Sequence, residues 1–372
     1  MKKLIYIANA RMPTEKAHGI QITKMCEAFS NQGLEVKLVL PWKFNKIKEN
    51  TFKYYDIKRN FKIKKIFSLD LVPLNIPRIC FWIQNLTFSI SVFFYLLFIK
   101  TDIIYSRDSF SLYLLSFFKK NLVLELHTFP KNFFLHQQVF KKVKNIIVIT
   151  KGLKTVLIEN GISKDKILIA HDGVDLDKFD IDISKEEARK KLNLPLDKKI
   201  VIYIGLFDKW KGYHTLLEAS KLFDKETILV MIGGTKEQVK KLKKEYPNII
   251  FLGYLPYRDS PINQKAADVL ILPNSSKETI SKYYTSPLKL FSYMASKRPI
   301  VASDLPSLRE ILNEKNAILV QSDNYKDLAA GINQVLKDPN FYSKLSKKAF
   351  KNVQKYTWDE RTKKILLKIF KF

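Results

Sequence analysis

Two lysines stand where chemistry on an anion would need them. Lys211 closes the run Phe207-Asp208-Lys209-Trp210-Lys211-Gly212, which follows Gly205 and precedes a helical pattern. Lys289 ends Thr285-Ser286-Pro287-Leu288-Lys289, in which Ser286 suits an N-cap, Pro287 the first helical position and Lys289 the first turn. A cation at the positive end of a helix is unfavourable unless an anion offsets it. Two such placements point to a shared diphosphate, with a solvated lysine as the plainer alternative for Lys211. Gly233-Gly234-Thr235 likewise follows an apolar run and opens a helix, letting backbone approach a ligand closely. None of the three is a GxxxxGK[ST] loop, so nucleotide hydrolysis of that kind is not expected.

A second group lies in the first half of the chain. Glu125-Leu126-His127-Thr128 ends an apolar run, with Glu125 alternating inward and His127 at the mouth. His127 reads either as a polar contact to substrate or as a structural side chain. Arg107-Asp108 falls at the same rim, as a substrate contact or a local ion pair, and Ala17-His18-Gly19 precedes the first long helix. Cys26 and Cys80 form no CxxC pair and the five histidines are scattered, so no metal and no cofactor is expected.

Parallel strands must carry these residues. Short apolar runs predict strands at Leu4–Ala8, Val36–Leu40, Lys62–Phe67, Ile103–Tyr105, Leu122–Leu126, Ile146–Ile149 and Ile167–Ala170. Helical spacing separates them at Ile20–Asn31, Pro77–Ile99, Phe110–Phe118 and Gly152–Glu159. The alternation restarts with strands Ile200–Ile204, Ile228–Ile232, Ile249–Gly253, Val269–Leu272, Ile300–Ala302 and Ile318–Val320. Its helices are Tyr213–Phe223, Lys236–Glu245, Ile262–Ala267, Pro287–Ser296, Leu305–Leu312 and Tyr325–Lys337, and the tail Asn340–Phe372 reads as two more. β-branched runs alternating with helices imply two doubly wound, Rossmann-like α/β domains. The domains expected are residues 1–171, a linker over 172–197 with one short helix at Lys185–Leu192, residues 198–355, and a final helix over 356–372 that packs back on the first domain.

The 372 residues, 46% of them hydrophobic, suffice for two cores and exclude a disordered or disulfide-stapled chain. A net charge of +29 invites an anionic partner, yet lysines far outnumber arginines and are spread evenly, and base reading favours the guanidinium fork. Nucleic acid is therefore not an expected partner; an anionic membrane surface or a phosphorylated substrate is. Phe81–Ile99 has nineteen residues without formal charge, the length of a membrane span. Its Gln84, Asn85, Thr87, Ser89 and Ser91 point in several directions, so a buried crossover helix is the simpler reading, with a helix dipping into a membrane surface second. The apolar run at the start, Leu4 to Ala8, is too short for a signal peptide, and the cytoplasm is expected, with peripheral contact at the inner membrane face.

The run His171-Asp172-Gly173-Val174-Asp175-Leu176-Asp177-Lys178-Phe179, the segment Tyr203 through Gly212, and Ser286–Ala295 followed by Pro299-Ile300-Val301-Ala302-Ser303-Asp304 together resemble glycosyltransferase family 4. Thr14-Glu15-Lys16-Ala17-His18-Gly19 is similar to the amino-terminal loop of bacterial members. The resemblance implies the GT-B fold, two Rossmann-like domains facing each other across a cleft. It also implies a retaining, metal-independent hexosyl transfer from a UDP- or GDP-linked sugar to a glycan or lipid-linked acceptor in cell-surface polysaccharide or glycolipid synthesis. By it, Lys211 binds the donor phosphate, Gly19 belongs to the loop facing that phosphate, and His127 lies beside the transferred sugar. Gly205, Gly233 and Gly234 line the donor site, Tyr254 and Leu255 fall where the base is held, and Lys289 with the segment Ser286, Pro287 and Leu288 stabilises the leaving diphosphate.

Three positions depart from the family. Leu206 stands where an Arg partners Lys211, and Tyr284 and Ser292 replace two Glu, the second of which binds ribose. Ser292 lies six residues along the helix from Ser286, roughly 9 Å at about 1.5 Å per residue, within reach of a ribose but with weaker binding expected, by about 1–3 kcal/mol. The alternative is a degenerate GT-B protein that binds nucleotide or glycan without turnover. A metal-dependent transferase using Asp175-Leu176-Asp177 or Asp180-Ile181-Asp182 is a third, supported only by a short and common pattern.

Overall fold

The computed structural model describes residues 1–70, 77–130 and 132–370; the last two positions of the expected tail lie outside them. The chain divides into two compact units, Met1–His171 with Trp358–Phe372, and Asp172–Thr357.

In the first unit the strands are β1 (Lys3–Ile7), β2 (Glu35–Pro41), β3 (Lys62–Ile66), β4 (Ile103–Ser106), β5 (Leu122–Leu126), β6 (Asn145–Val148) and β7 (Ile167–Ile169), in the order 3-2-1-4-5-6-7. All pairings are parallel. Leu4, Tyr6, Ile104, Tyr105, Leu124 and Ile147 are out of water, as strands covered on both faces must be. The strand order reverses between β1 and β4, which places a crevice beyond their carboxyl ends.

In the second unit β8 (Lys199–Ile204), β9 (Thr227–Ile232), β10 (Ile250–Gly253), β11 (Val269–Leu272), β12 (Ile300–Ser303) and β13 (Ile318–Val320) form a parallel sheet in the order 10-9-8-11-12-13. Its side chains sort by the strand period of two. Ile200, Ile202, Val230, Ile232, Leu270 and Leu272 enter one core, and Val201, Tyr203, Leu229, Met231, Val269 and Ile271 enter the other. The switch point lies between β8 and β11.

Every expected strand forms, within one or two residues of its expected bounds. Two α-helices, Thr51–Tyr55 and Phe133–Lys142, were not anticipated, although Phe133, His136 and Phe140 stand at helical spacing and their rings meet along one face. Residues 172–197 lie in the second unit, where a capping box at Ser184 and Glu187 starts the helix Lys185–Lys191 and Val174, Ala188 and Leu194 enter the core. The helix Trp358–Ile369 folds with the first unit, burying Trp358, Arg361, Thr362, Ile365 and Ile369.

The helix Pro77–Leu97 corrects the expectation of a buried crossover. Only part of it is covered: Gln84, Asn85 and Ser89 are buried and Thr87 and Ser91 half-buried, while Phe81, Trp82, Leu86, Ile90 and Phe94 face water. The buried groups are held by partners inside the unit, Gln84 donating to Asn9 Oδ1 at 2.9 Å and to Ser68 Oγ at 3.0 Å.

Candidate functional site

In the second unit the end of β8 is built for close approach. Gly205, Gly233 and Gly234 all have positive φ, and a Cβ on Gly233 would lie 2.1 Å from Gly205 O. Only glycine fits there. Gly233 N donates to Gly253 O at 2.6 Å, which brings the end of β10, and with it Tyr254 and Leu255, to the same rim. Both residues are half-buried, and Leu255 packs against the core.

Lys289 is the electrostatic centre of this rim. Its Nζ is shielded from solvent, has no hydrogen-bond partner among the described residues, and lies 4.0 Å from the centroid of the Tyr203 ring. A Cβ on Gly205 would sit 3.4 Å from it. Burial, and then the charge of Lys211, push its ammonium well below the ordinary lysine range. A cation desolvated with only a ring face for company is costly. An anion at the end of β8 removes that cost.

Lys211 stands at a helix start, as expected, and has a partner of its own. It ends the 3-10 turn Lys209–Lys211 ahead of the helix Tyr213–Ser220, and its Nζ pairs with Asp208 Oδ2 at 2.9 Å. Its charge is therefore already met by a half-exposed carboxylate, whereas the Lys289 ammonium has no partner among the described residues.

The helix start at Ser286 is also corrected. Pro287 itself is the N-cap, with extended backbone, and Leu288 opens the helix Leu288–Ala295. Ser286 caps nothing; its Oγ accepts from Asp172 N at 3.4 Å. Proline has no N–H, so the donors at this terminus come from Leu288 and Lys289. Ser292 departs further. It is 2% exposed, its hydroxyl accepts from Gln264 Nε2 at 2.9 Å and donates to Lys289 O at 3.0 Å. The hydroxyl expected to reach a ribose is occupied with packing.

Sequence reasoning missed Asn274. It follows β11 at the switch point, is 1% exposed, and neither end of its carboxamide has a partner among the described residues. Its neighbours are the Lys211 turn: Ser275 N donates to Trp210 O at 3.0 Å, and a Cβ on Gly212 would meet Pro273 O at 1.8 Å. The signal was only that an Asn follows a central strand.

In the first unit His127 is held from below. Its Nε2 lies 2.6 Å from Glu125 Oε1, which also accepts from Gln21 Nε2 at 2.6 Å and Arg361 Nη2 at 2.8 Å, while Tyr105 donates to Oε2. Burial opposes the charge on Glu125, yet Arg361 and then His127 and Arg107 hold its carboxyl well below the usual range. Arg107 does not pair with Asp108. Its Nη1 donates to Gln21 Oε1 at 2.7 Å, and Asp108 caps the helix Ser109–Leu115 through the amides of Phe110 and Ser111. His18, beside Arg107, Lys16 and His127, is pushed down to about 4, mainly by burial. The mouth of this sheet thus presents neutral His18 with His127 and Arg107 over a fixed carboxylate.

Gly19 is placed otherwise than expected. The helix runs Ala17–Asn31, so Gly19 lies in its first turn, where a Cβ would come 2.0 Å from Tyr55 Oη. That hydroxyl accepts from Thr14 N at 2.7 Å and donates to Thr14 O at 2.9 Å. The glycine makes room for the tyrosine that pins the preceding loop.

Residues 184–352 match the family model of glycosyl transferases group 1, within the second unit. An uncharacterised glycosyltransferase of Methanocaldococcus jannaschii is 27% identical over 231 residues, 59% of this chain and 57% of that relative, so the chain spans little more than half of its length. A second from the same organism is 25% identical over 352 residues, 84% of this chain and 85% of the relative. Among solved structures, Anabaena HepE in complex with UDP-glucose superposes with a TM-score of 0.78 at 16% identity, covering all of both chains. The two parallel-sheet units have the architecture of GT-B glycosyltransferases.

Proposed function

We propose that the protein is a retaining glycosyltransferase of the family 4 type, moving a hexose from a UDP- or GDP-linked donor to a glycan or lipid-linked acceptor in the synthesis of a cell-surface polysaccharide or glycolipid. The observation that carries this is Lys289, an ammonium desolvated and unmet at the β8 switch point beside three positive-φ glycines. The diphosphate of a nucleotide sugar is the anion that fits a cation with free backbone approach on one side and a second cation, Lys211, nearby.

In this reading Lys289, with the amides that open its helix, receives the charge that grows on the diphosphate as the bond from the sugar C1 breaks. Lys211, held by Asp208, supplies the outer cation. The acceptor oxygen bonds to C1 on the face that the diphosphate leaves, and its proton passes to the departing phosphate oxygen, so no carboxylate base is required. His127, fixed by Glu125, orients a sugar hydroxyl. The donor is bound without metal, and the protein works in the cytoplasm at the inner membrane face.

Titration calorimetry with UDP and GDP, without added metal, tests the reading: one nucleotide binds the wild type, and Lys289→Gln weakens it by tenfold or more, about 1.4 kcal/mol. Absence of binding by either nucleotide overturns it. The buried Ser292 favours one second reading, a protein that binds nucleotide or glycan without turnover, because the ribose carboxylate of the family has no substitute at that position. Binding without transfer or donor hydrolysis would establish that reading instead.

A further inference from the structure

The helix Pro77–Leu97 is apolar on its outer face as well as its inner one. Gln84, Asn85 and Ser89 lie inside with Phe88, Val92 and Leu96, whereas the outward positions, at steps of four, are Trp82, Leu86, Ile90 and Phe94, continued by Phe98. Leu86, Phe94 and Phe98 are 61%, 64% and 88% exposed. A helix whose outer face meets water carries polar side chains there. The helix after β4 extends the patch, since Phe110 meets Trp82 edge-on at 5.3 Å and Phe118 meets Phe93 at 5.3 Å, leaving Phe117 and Phe118 exposed. Contiguous exposed aromatics on this scale mark a docking surface.

We infer that this face docks on an anionic lipid bilayer, lying in the interface rather than crossing it. Length and apolarity alone would allow a crossing. The buried polar face argues against one, because Gln84 is tied to Asn9 and Ser68 within the unit, which fixes the helix along its flank. The charge around the patch selects lipid over a second copy of the chain. Between residues 77 and 158 the acidic side chains are Asp102, Asp108 and Glu125, and all are engaged: Asp102 accepts from Lys3 N, Asp108 caps a helix, and Glu125 is buried. The rim is cationic. Lys142 Nζ stands 3.2 Å over the Phe117 ring and Lys119 donates to Leu97 O and Ile99 O at 3.1 Å, with Lys100, Lys120 and Lys141 exposed beside them. Two copies meeting here would oppose like charges, whereas phosphatidylglycerol headgroups complement them while the rings enter the acyl boundary. The surface stands whether or not the protein transfers sugar.

The test is sedimentation of the full chain with phosphatidylglycerol-containing vesicles and with pure phosphatidylcholine vesicles, alongside Trp emission. Wild type is expected to co-sediment with the anionic vesicles, release in alkaline carbonate, and shift its Trp emission to the blue in a manner that Trp82→Phe removes. Leu86→Asp with Phe94→Asp is expected to lower partitioning at least about tenfold while keeping the wild-type melting temperature, and Lys142→Glu to lower it on anionic vesicles alone. Failure of the wild type to bind, equal binding by the double variant, or a dimer dissolved by that variant overturns the inference. Resistance to carbonate overturns it in favour of a span. Nucleotide calorimetry on the same protein separates any of these results from failure of the sugar-transfer reading.

Discussion

Arg361 Nη2 meets Glu125 Oε1 at 2.8 Å although 236 positions separate them, and neither side chain sees water. One comes from the last helix and the other from the centre of the first sheet, so the bond fixes the final element of the first unit to the strand that carries His127. Removing one member leaves the other charge buried. Glu125→Gln is expected to cost about 3–5 kcal/mol of stability, read by urea denaturation. A loss under about 1 kcal/mol would mean that the pair is solvated.

Acid should act on the same unit in two steps. Glu125 has a folded value below its ordinary one, so its contribution is complete above the unfolded carboxyl range and is lost only as pH falls toward the depressed folded value. His18 is depressed from 6.5 to about 4, so the unfolded chain takes up its proton first and stability falls as pH drops through that window. His18→Gln is expected to flatten the melting temperature between those limits, removing on the order of 2 kcal/mol of pH dependence. An unchanged slope refutes the assignment.

Lys289 predicts a proton linkage in binding. Its ammonium is destabilised in the free protein, and a diphosphate restores it, so nucleotide binding takes up a proton and weakens as pH rises between the depressed and the ordinary lysine value. Calorimetry in buffers of different ionisation enthalpy should show the uptake in the wild type and not in Lys289→Gln. Equal enthalpies in all buffers would place the anion elsewhere.

For Ser292 the expectation is stability without affinity. Ser292→Ala removes the oxygen that Gln264 donates to, in a side chain whose Oε1 already has no partner among the described residues. A cost of about 1–3 kcal/mol follows, with nucleotide affinity kept within about twofold. A tenfold loss of affinity would return Ser292 to the ribose.

Gly19→Ala should be destabilising through the 2.0 Å approach of its Cβ to Tyr55 Oη, by about 1–3 kcal/mol. Tyr55→Phe in the same chain removes the nearest atom and leaves Tyr55 Cζ and Thr14 Cγ2 each at 2.8 Å, so it should recover only part of the loss. No recovery would point to a role for the glycine other than room for the tyrosine.

The strands were legible because β-branched runs bounded by helices have few other readings. Contacts were less so. Ser286 and Pro287 are adequate cap signals, but the chain stays extended one residue longer and shifts the helix start. Lys211 could be placed at a helix start from the sequence, whereas its pairing with Asp208 could not, since side-chain direction in a 3-10 turn is a matter of geometry. The polar residues of Pro77–Leu97 suggested burial by pointing in several directions. Which side they occupy depends on how the helix is rotated on its neighbours.

Because Trp358–Ile369 completes the first unit, the ribosome must emit the whole of Asp172–Thr357 before that unit can close. Until then Glu125 lacks the guanidinium of Arg361. The second unit, continuous in sequence, can fold as soon as it clears the exit tunnel. Biogenesis would then run against the order of the genetic message, the part synthesised first becoming the part finished last.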